Sequence, residues 1–214
     1  MSASLLCPLC LDASPKTSFA HLNRTFFECS VCDLFFVDPK YHLPSEAEKK
    51  RYESHQNDVL DPAYQNFVMP LFHIIQSRIN RQSLGLDFGA GTGPVLTKLL
   101  TDDHFTIDVY DPYFHPHLSL LTNRYDFIFA TEVVEHFYFP RKDFNLMTSL
   151  LRSKGYLFFM TLLHQSQTEK ETWFYLKDPT HVCAYSQTTF EWIKRHYGFS
   201  QVEIISPRMV VLSK

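Results

Sequence analysis

The stretch Leu84-Gly-Leu-Asp-Phe-Gly-Ala-Gly-Thr-Gly-Pro-Val-Leu-Thr-Lys-Leu-Leu100 decides the fold. Leu84–Phe88 is a short apolar run bounded by glycine, the pattern of a buried strand. Gly89, Gly91 and Gly93 then let the backbone turn tightly and approach a ligand closely. Pro94 to Leu100 reads as a helix, with the proline at the first helical position, where its missing N–H costs nothing. A dinucleotide fingerprint wants glycine or alanine where Pro94 stands, so a nicotinamide-dependent oxidoreductase is a distant reading. A tight strand-to-helix connection that binds nothing is the plain alternative.

Toward the C-terminus the alternation continues. His104–Tyr110 and Tyr125–Ala130 read as strands, Phe144–Leu151 as a helix, and Gly155–Thr161 as another buried strand. Thr188–Tyr197 reads as a helix stopped by Gly198, and Gln201–Ile205 with Met209–Leu212 as a closing antiparallel hairpin. The expected class is therefore α/β, a Rossmann-like and mostly parallel sheet with a C-terminal antiparallel hairpin. Ligands of such sheets sit at the carboxyl ends of the strands, after Phe88, Tyr110 and Ala130. Asp111 stands there, 22 residues beyond Gly89, where a carboxylate can accept both hydroxyls of a ribose.

Toward the N-terminus, residues 44–82 read as a helical linker or lid. Ser45-Glu-Ala-Glu48 spells a capping box. Asp61-Pro62 opens a second helix to about Gln82, bent near Pro70. Tyr52, His55 and Asn57 can fold over a ligand, or the segment is packing between modules. Residues 1–43 carry Cys7, Cys10, Cys29 and Cys32 as two C-x2-C pairs with 18 residues between them, the spacing of a four-thiolate zinc site. Two disulfides are the other reading, opposed by a reducing cytosol. So short a unit, with few large apolar side chains, needs a staple to fold, which makes it a small zinc ribbon preceding the sheet. Its three basic and four acidic residues favour a structural or docking role over a grip on phosphates. The fifth cysteine, Cys183, reads as a buried, inert thiol.

From Ser83 to the C-terminus the chain resembles the class I S-adenosylmethionine-dependent methyltransferases. The resemblance rests on LDFGAGTG, on YDP with Asp111 at its centre, on YDFIFATEVVEHF, and on the closing strand–helix–hairpin. It implies that Asp87, Gly89, Ala90, Gly91 and Gly93 lie along the cofactor's methionine and ribose. Asp111, with Pro112, would take the ribose, and Thr131 and Glu132 would lie near the adenine or sulfonium. Only 14 positions separate Asp111 from Tyr125, so the usual third strand is truncated or absent, and with it the acid that often meets the adenine amine.

Glu132-Val-Val-Glu135-His136 follows the third strand, and residues at i, i+3 and i+4 can share one face of a helical turn. The same spelling occurs in methyltransferases that hold a divalent metal beside an acceptor oxygen, together with a later histidine, here His181. It occurs equally in metal-free ones, where the histidine lines the pocket. Glu132, Glu135, His136 and His181 are thus the candidate acceptor-side residues, as a metal site or as a polar pocket with an imidazole base. The long connection Leu162–Gln187, with Trp173, Phe174, Tyr175, His181 and Tyr185, is expected to bind the acceptor.

The composition is globular: 45% hydrophobic and 20% charged, with a formal net charge of −3. That acidity disfavours bulk-charge binding of RNA and favours a small-molecule acceptor. The longest apolar stretch, Tyr156–Leu163, falls far short of the ~20 residues of a membrane helix, and the first ten residues lack a secretory pattern. A cytoplasmic methyltransferase is the expectation. The competing class is a non-catalytic binding module, its ribbon recognising RNA or protein on a methyltransferase scaffold.

Overall fold

The computed structural model describes residues 5–13, 15–54, 57–165 and 168–214. Among these, the strands and helices run β1 (Pro15–His21), β2 (Arg24–Cys29), β3 (Phe35–Val37), α1 (Ser45–Glu53), α2 (Pro62–Arg78), β4 (Leu84–Phe88) and α3 (Val95–Asp102). They continue with β5 (Thr106–Tyr110), β6 (Tyr125–Thr131), α4 (Pro140–Leu150), β7 (Leu151–Met160), β8 (Cys183–Ala184), α5 (Gln187–Tyr197), β9 (Gln201–Ser206) and β10 (Met209–Ser213).

Six strands form one sheet in the order β5-β4-β6-β7-β10-β9. β4 runs parallel to β5 and β6, and β6 parallel to β7, while β10 is antiparallel to both β7 and β9. This is the mostly parallel sheet with a terminal hairpin that the sequence implies. Between β5 and β6 the chain makes only a 3-10 turn, Leu118–Thr122, so no strand lies outside β5 among the described residues.

Strand alternation sends side chains to opposite faces, and each face acquires its own helices. Phe127 and Phe129 of β6 and Phe158 and Met160 of β7 pack with Val68, Leu71 and Ile75 of α2 and with α3. Ile128, Ala130, Leu157 and Phe159 pack on the other face with Phe144 and Met147 of α4 and Phe190 and Ile193 of α5. Gly198 stops α5 in the left-handed conformation, at φ 72°.

The second sheet is β1-β2-β3-β8, and its last strand comes from far along the chain. Phe35 pairs with Ala184 and Phe36 with Cys183. Phe26, Phe35 and Cys183 belong to the same buried cluster as Phe144 and Phe190, so this small sheet shares the core of the large one. Cys183 is 1% exposed, with its thiol against the carbonyl of Phe137.

Three local expectations are corrected. Ser45 does not cap α1: Pro44 holds the cap position, and the Ser45 hydroxyl pairs with Tyr113 at 3.1 Å. Glu48 reaches Tyr52 and Tyr113, both at 2.7 Å, instead of the helix start. Tertiary partners outcompete the local motif. The second helix ends at Arg78, four residues early, and Pro94 is the cap of α3 rather than its first residue.

Candidate active site

The expected cofactor-side residues sit at the carboxyl ends of β4, β5 and β6 of the large sheet, whereas His181 lies in the loop before β8. After β4, Gly89 and Gly91 adopt φ of 86° and 63°, which side chains strain to reach. The Gly89 and Ala90 amides donate to the Tyr110 carbonyl at 2.8 and 3.2 Å, stitching the turn to β5. Gly93 has no space for a Cβ because the backbone of Asn57 lies against it. His55, expected beside it, lies outside the described residues. Asp87 is buried and accepts the Thr97 hydroxyl at 2.6 Å; burial pushes its carboxyl up to about 7.

Asp111 is 7% exposed and ties two loops together. It accepts from the Gly91 amide at 2.9 Å on one oxygen, and from the Tyr113 and Phe114 amides at 2.8 and 3.0 Å on the other. Three N–H groups thus fix the aim of this carboxylate. Pro112, beside it, is exposed. Asp111→Ala should weaken S-adenosylhomocysteine binding by about 1.5–3 kcal/mol, read by calorimetry, because a charge-assisted acceptor and the order of the glycine turn are lost together.

The Glu-Val-Val-Glu-His segment is not the single helical face expected. Glu132 has φ 53°, and only Val134–His136 forms a 3-10 turn. The left-handed residue turns Glu132 away to meet Arg208, whose Nη1 lies 2.8 and 2.9 Å from its two oxygens. Burial, with Glu135 nearby, pushes the Glu132 carboxyl up to about 7. The Thr131 hydroxyl is buried with no partner among the described residues.

Glu135, His136 and His181 do converge. Their ligand atoms lie within 4.8 Å of one another, and Glu132 is outside this group. Glu135 is fully buried; one oxygen accepts the Tyr175 hydroxyl and the other has no partner among the described residues. His136 Nδ1 lies 3.0 Å from the Thr180 carbonyl, and His181 Nδ1 2.6 Å from that of Tyr175. A carbonyl only accepts, so both Nδ1 atoms carry the proton and both Nε2 atoms present bare lone pairs. Burial holds both imidazoles neutral, pushing His181 down to about 3, and pushes Glu135 up to about 7. Two fixed acceptors beside a buried carboxyl suit either a divalent cation or a proton-bearing acceptor group.

Helix α1 closes the gap between the two halves. The Tyr52 ring meets that of His136 edge-on at 5.2 Å, and its hydroxyl joins Glu48 and Tyr113 in the loop after Asp111. Arg51 grips Asp178 at 2.6 Å.

The four cysteines Cys7, Cys10, Cys29 and Cys32 come together as expected, with sulfurs within 4.8 Å of one another. Cys7 and Cys32 are 3.6 Å apart, Cys10 and Cys29 3.3 Å. Zn–S bonds of ~2.3 Å put the sulfurs of a tetrahedron about 3.8 Å apart, so the cage fits zinc, whereas a disulfide needs ~2.05 Å. Each knuckle ends in a left-handed residue, Leu11 at φ 66° and Asp33 at φ 61°, whose amides bond back to Cys7 and Cys29.

Arg24, Arg51 and Arg208 are not among the expected site residues, and Glu48 is expected only in a helix cap. Arg208 left one faint signal, a cation in the Ser206-Pro207-Arg208 turn of the closing hairpin.

The fold matches known proteins. A family model described as "Methyltransferase domain" matches residues 52–204, and the chain belongs to that family. It is a methyltransferase-domain protein, and it shares its fold with S-adenosylmethionine-dependent methyltransferases. Among solved structures it is similar to a 1,6-didemethyltoxoflavin-N1-methyltransferase of Burkholderia thailandensis, at 14% identity and TM-score 0.55, covering 91% of this chain and 96% of that one. It is similar also to a SAM-dependent methyltransferase from Archaeoglobus fulgidus, at 16% identity and TM-score 0.55, covering 70% and 94%. Human N-acetylserotonin methyltransferase aligns at 13% identity and TM-score 0.55, over 79% of this chain and 56% of that one. No curated protein sequence matches. Among the described residues no helix is long and apolar enough to cross a membrane.

Proposed function

We propose that this enzyme methylates a small polar acceptor held against Glu135, His136 and His181, with the cofactor laid along the glycine turn and Asp111. The carrying observation is the pair of bare Nε2 atoms, fixed by Nδ1–H bonds to carbonyls, beside the unpartnered oxygen of buried Glu135. Bound S-adenosylmethionine would supply the methyl carbon, with sulfur keeping the electron pair of the broken carbon–sulfur bond in S-adenosylhomocysteine. The chain must align the reactants at about 3 Å and exclude water. Tyr52 and Asn57, packed on His136 and Gly93, serve as the lid. The acceptor's proton passes to an imidazole Nε2 or to the Glu135 carboxylate. A divalent cation held by Glu135, His136 and His181 would polarise an acceptor hydroxyl and ease that loss. Arg208 is already paired, so we assign Glu132 to shaping the wall near the cofactor rather than to the acceptor set.

We read the chain as a zinc ribbon (1–43), a lid (44–82) and a methyltransferase domain (83–214). The ribbon is docked rather than tethered: β8 joins its sheet, and Arg141 of α4 binds the carbonyls of Pro8 and Leu9. Reduced zinc thiolates suit a cytoplasmic protein. The small-molecule assignment is supported by the net charge of −3 and by a neighbour of the same fold, a 1,6-didemethyltoxoflavin-N1-methyltransferase with 1,6-didemethyltoxoflavin bound. A tritiated-methyl assay on fractionated cell extract tests it. Label is expected among small molecules; label in RNA would overturn the acceptor class.

A further inference from the structure

We propose that Arg24, on β2 of the ribbon, is a positioning residue for methyl transfer: its guanidinium holds the 176–181 loop so that His181 faces His136 and Glu135. This rests on the reading of those three residues as the acceptor-side site.

Among the described residues the 176–181 loop pairs with no strand; its internal bonds run to Asp178, from the His181 amide to the carbonyl at 3.1 Å and from the Thr180 amide and hydroxyl to the carboxylate at 2.9 and 2.6 Å. After the 3-10 turn Phe174–Lys177, the chain passes Asp178, Pro179 and Thr180 to reach His181. Its carbonyls point to one place. Arg24 Nη1 donates to the carbonyls of Pro179 at 3.1 Å and His181 at 3.3 Å. Nη2 donates to those of Leu176 and, at 3.1 Å, Asp178. Four carbonyls of one turn thus converge on one cation, whose other face lies 5.0 Å over the Phe26 ring. Only a planar fork with several N–H groups can bridge such a set; an ammonium reaches fewer of them.

The same stretch is stitched to the ribbon and to the site by backbone. The Val37 amide of β3 donates to the Val182 carbonyl at 2.8 Å, and the Val182 amide donates to the Glu135 carbonyl at 2.9 Å. His181 therefore sits between two anchors, the Arg24 fork before it and the β3–β8 pairing after it. Arg51 takes Oδ2 of the Asp178 carboxylate and Thr180 takes Oδ1, leaving the carbonyls to Arg24. The rings of His181 and His136 stand 4.8 Å apart, a spacing that the loop's placement sets. This gives the ribbon a task in catalysis: it carries the clamp for the loop that completes the site.

The test uses the zinc-loaded full chain with Arg24→Ala and Arg24→Lys. Zinc content and S-adenosylhomocysteine affinity should match wild type. The rate of methyl transfer to the extract fraction that accepts label should fall about 10²-fold in kcat, with KM for S-adenosylmethionine unchanged, because misplacement near 1 Å costs that much. Millimolar methylguanidinium should restore turnover to Arg24→Ala, and sodium should not. NMR supplies a readout without turnover: the hydrogen-bonded Nδ1–H of His181 should exchange faster in both variants. Wild-type kcat and an unchanged His181 signal in a folded Arg24→Lys protein would overturn the proposal, also where Arg24→Ala fails to fold. Full turnover in His181→Ala would instead overturn the site reading, and the NMR signal alone would then decide whether Arg24 holds the loop.

Discussion

Replacing His181 or His136 by alanine is expected to lower turnover by about 10²–10⁴-fold while changing S-adenosylhomocysteine affinity by less than about 1 kcal/mol. The asymmetry follows from where the side chains stand. Both imidazoles lie beyond β6 in the Glu135 cluster, whereas the glycine turn and Asp111 are bonded to each other and to neither histidine. A group that takes a proton or holds a cation acts on the developing transition state, not on cofactor binding. The measurement is paired: initial rates of label transfer and calorimetry on the same preparations. Near-wild-type rates in both variants would remove the cluster from the chemistry. EDTA separates its two versions, provided the ribbon is shown by elemental analysis to keep its zinc.

The second large effect concerns that zinc. Elemental analysis is expected to find about one zinc per chain, and Cys29→Ser to lose it. Structural zinc contributes up to about 10–16 kcal/mol to folding of isolated zinc units, so losing even half should lower the thermal midpoint by 10 °C or more in a chain of this size. The damage should spread beyond residues 1–43, because Phe26 and Phe35 share a core with α4 and α5. Turnover should fall with it, since β8 and the Arg24 clamp both depend on the ribbon. S-adenosylhomocysteine binding at temperatures below the new midpoint should persist, because the β4 turn and Asp111 lie in the other sheet. Metal well below one per chain together with an absence of free thiols would return the argument to disulfides.

What could be read from the sequence was local. The glycine turn, the C-x2-C pairs and the Gly198 stop are written in residues a few positions apart, and each signals through backbone geometry. What could not be read depends on distant partners. Ser45-x-x-Glu48 is a correct spelling of a capping box, yet Ser45 bonds Tyr113 and Glu48 bonds two tyrosines, a choice made by packing. Glu132 and Glu135 share a helical spacing, but one left-handed residue sends Glu132 to Arg208 and leaves Glu135 with His136. Cys183–Ala184 is a two-residue strand with no periodicity to announce it, paired to β3 far upstream. Arg24 carries no motif at all; its role exists only once the 176–181 loop folds onto it.

Cofactor binding by the glycine turn and Asp111 is the claim on which the rest depends, and calorimetric titration of the zinc-loaded chain with S-adenosylhomocysteine tests it most directly. The expected result is one saturable site per chain, weakened in Asp111→Ala and unchanged in His181→Ala. No binding to the wild-type protein at millimolar ligand would contradict it.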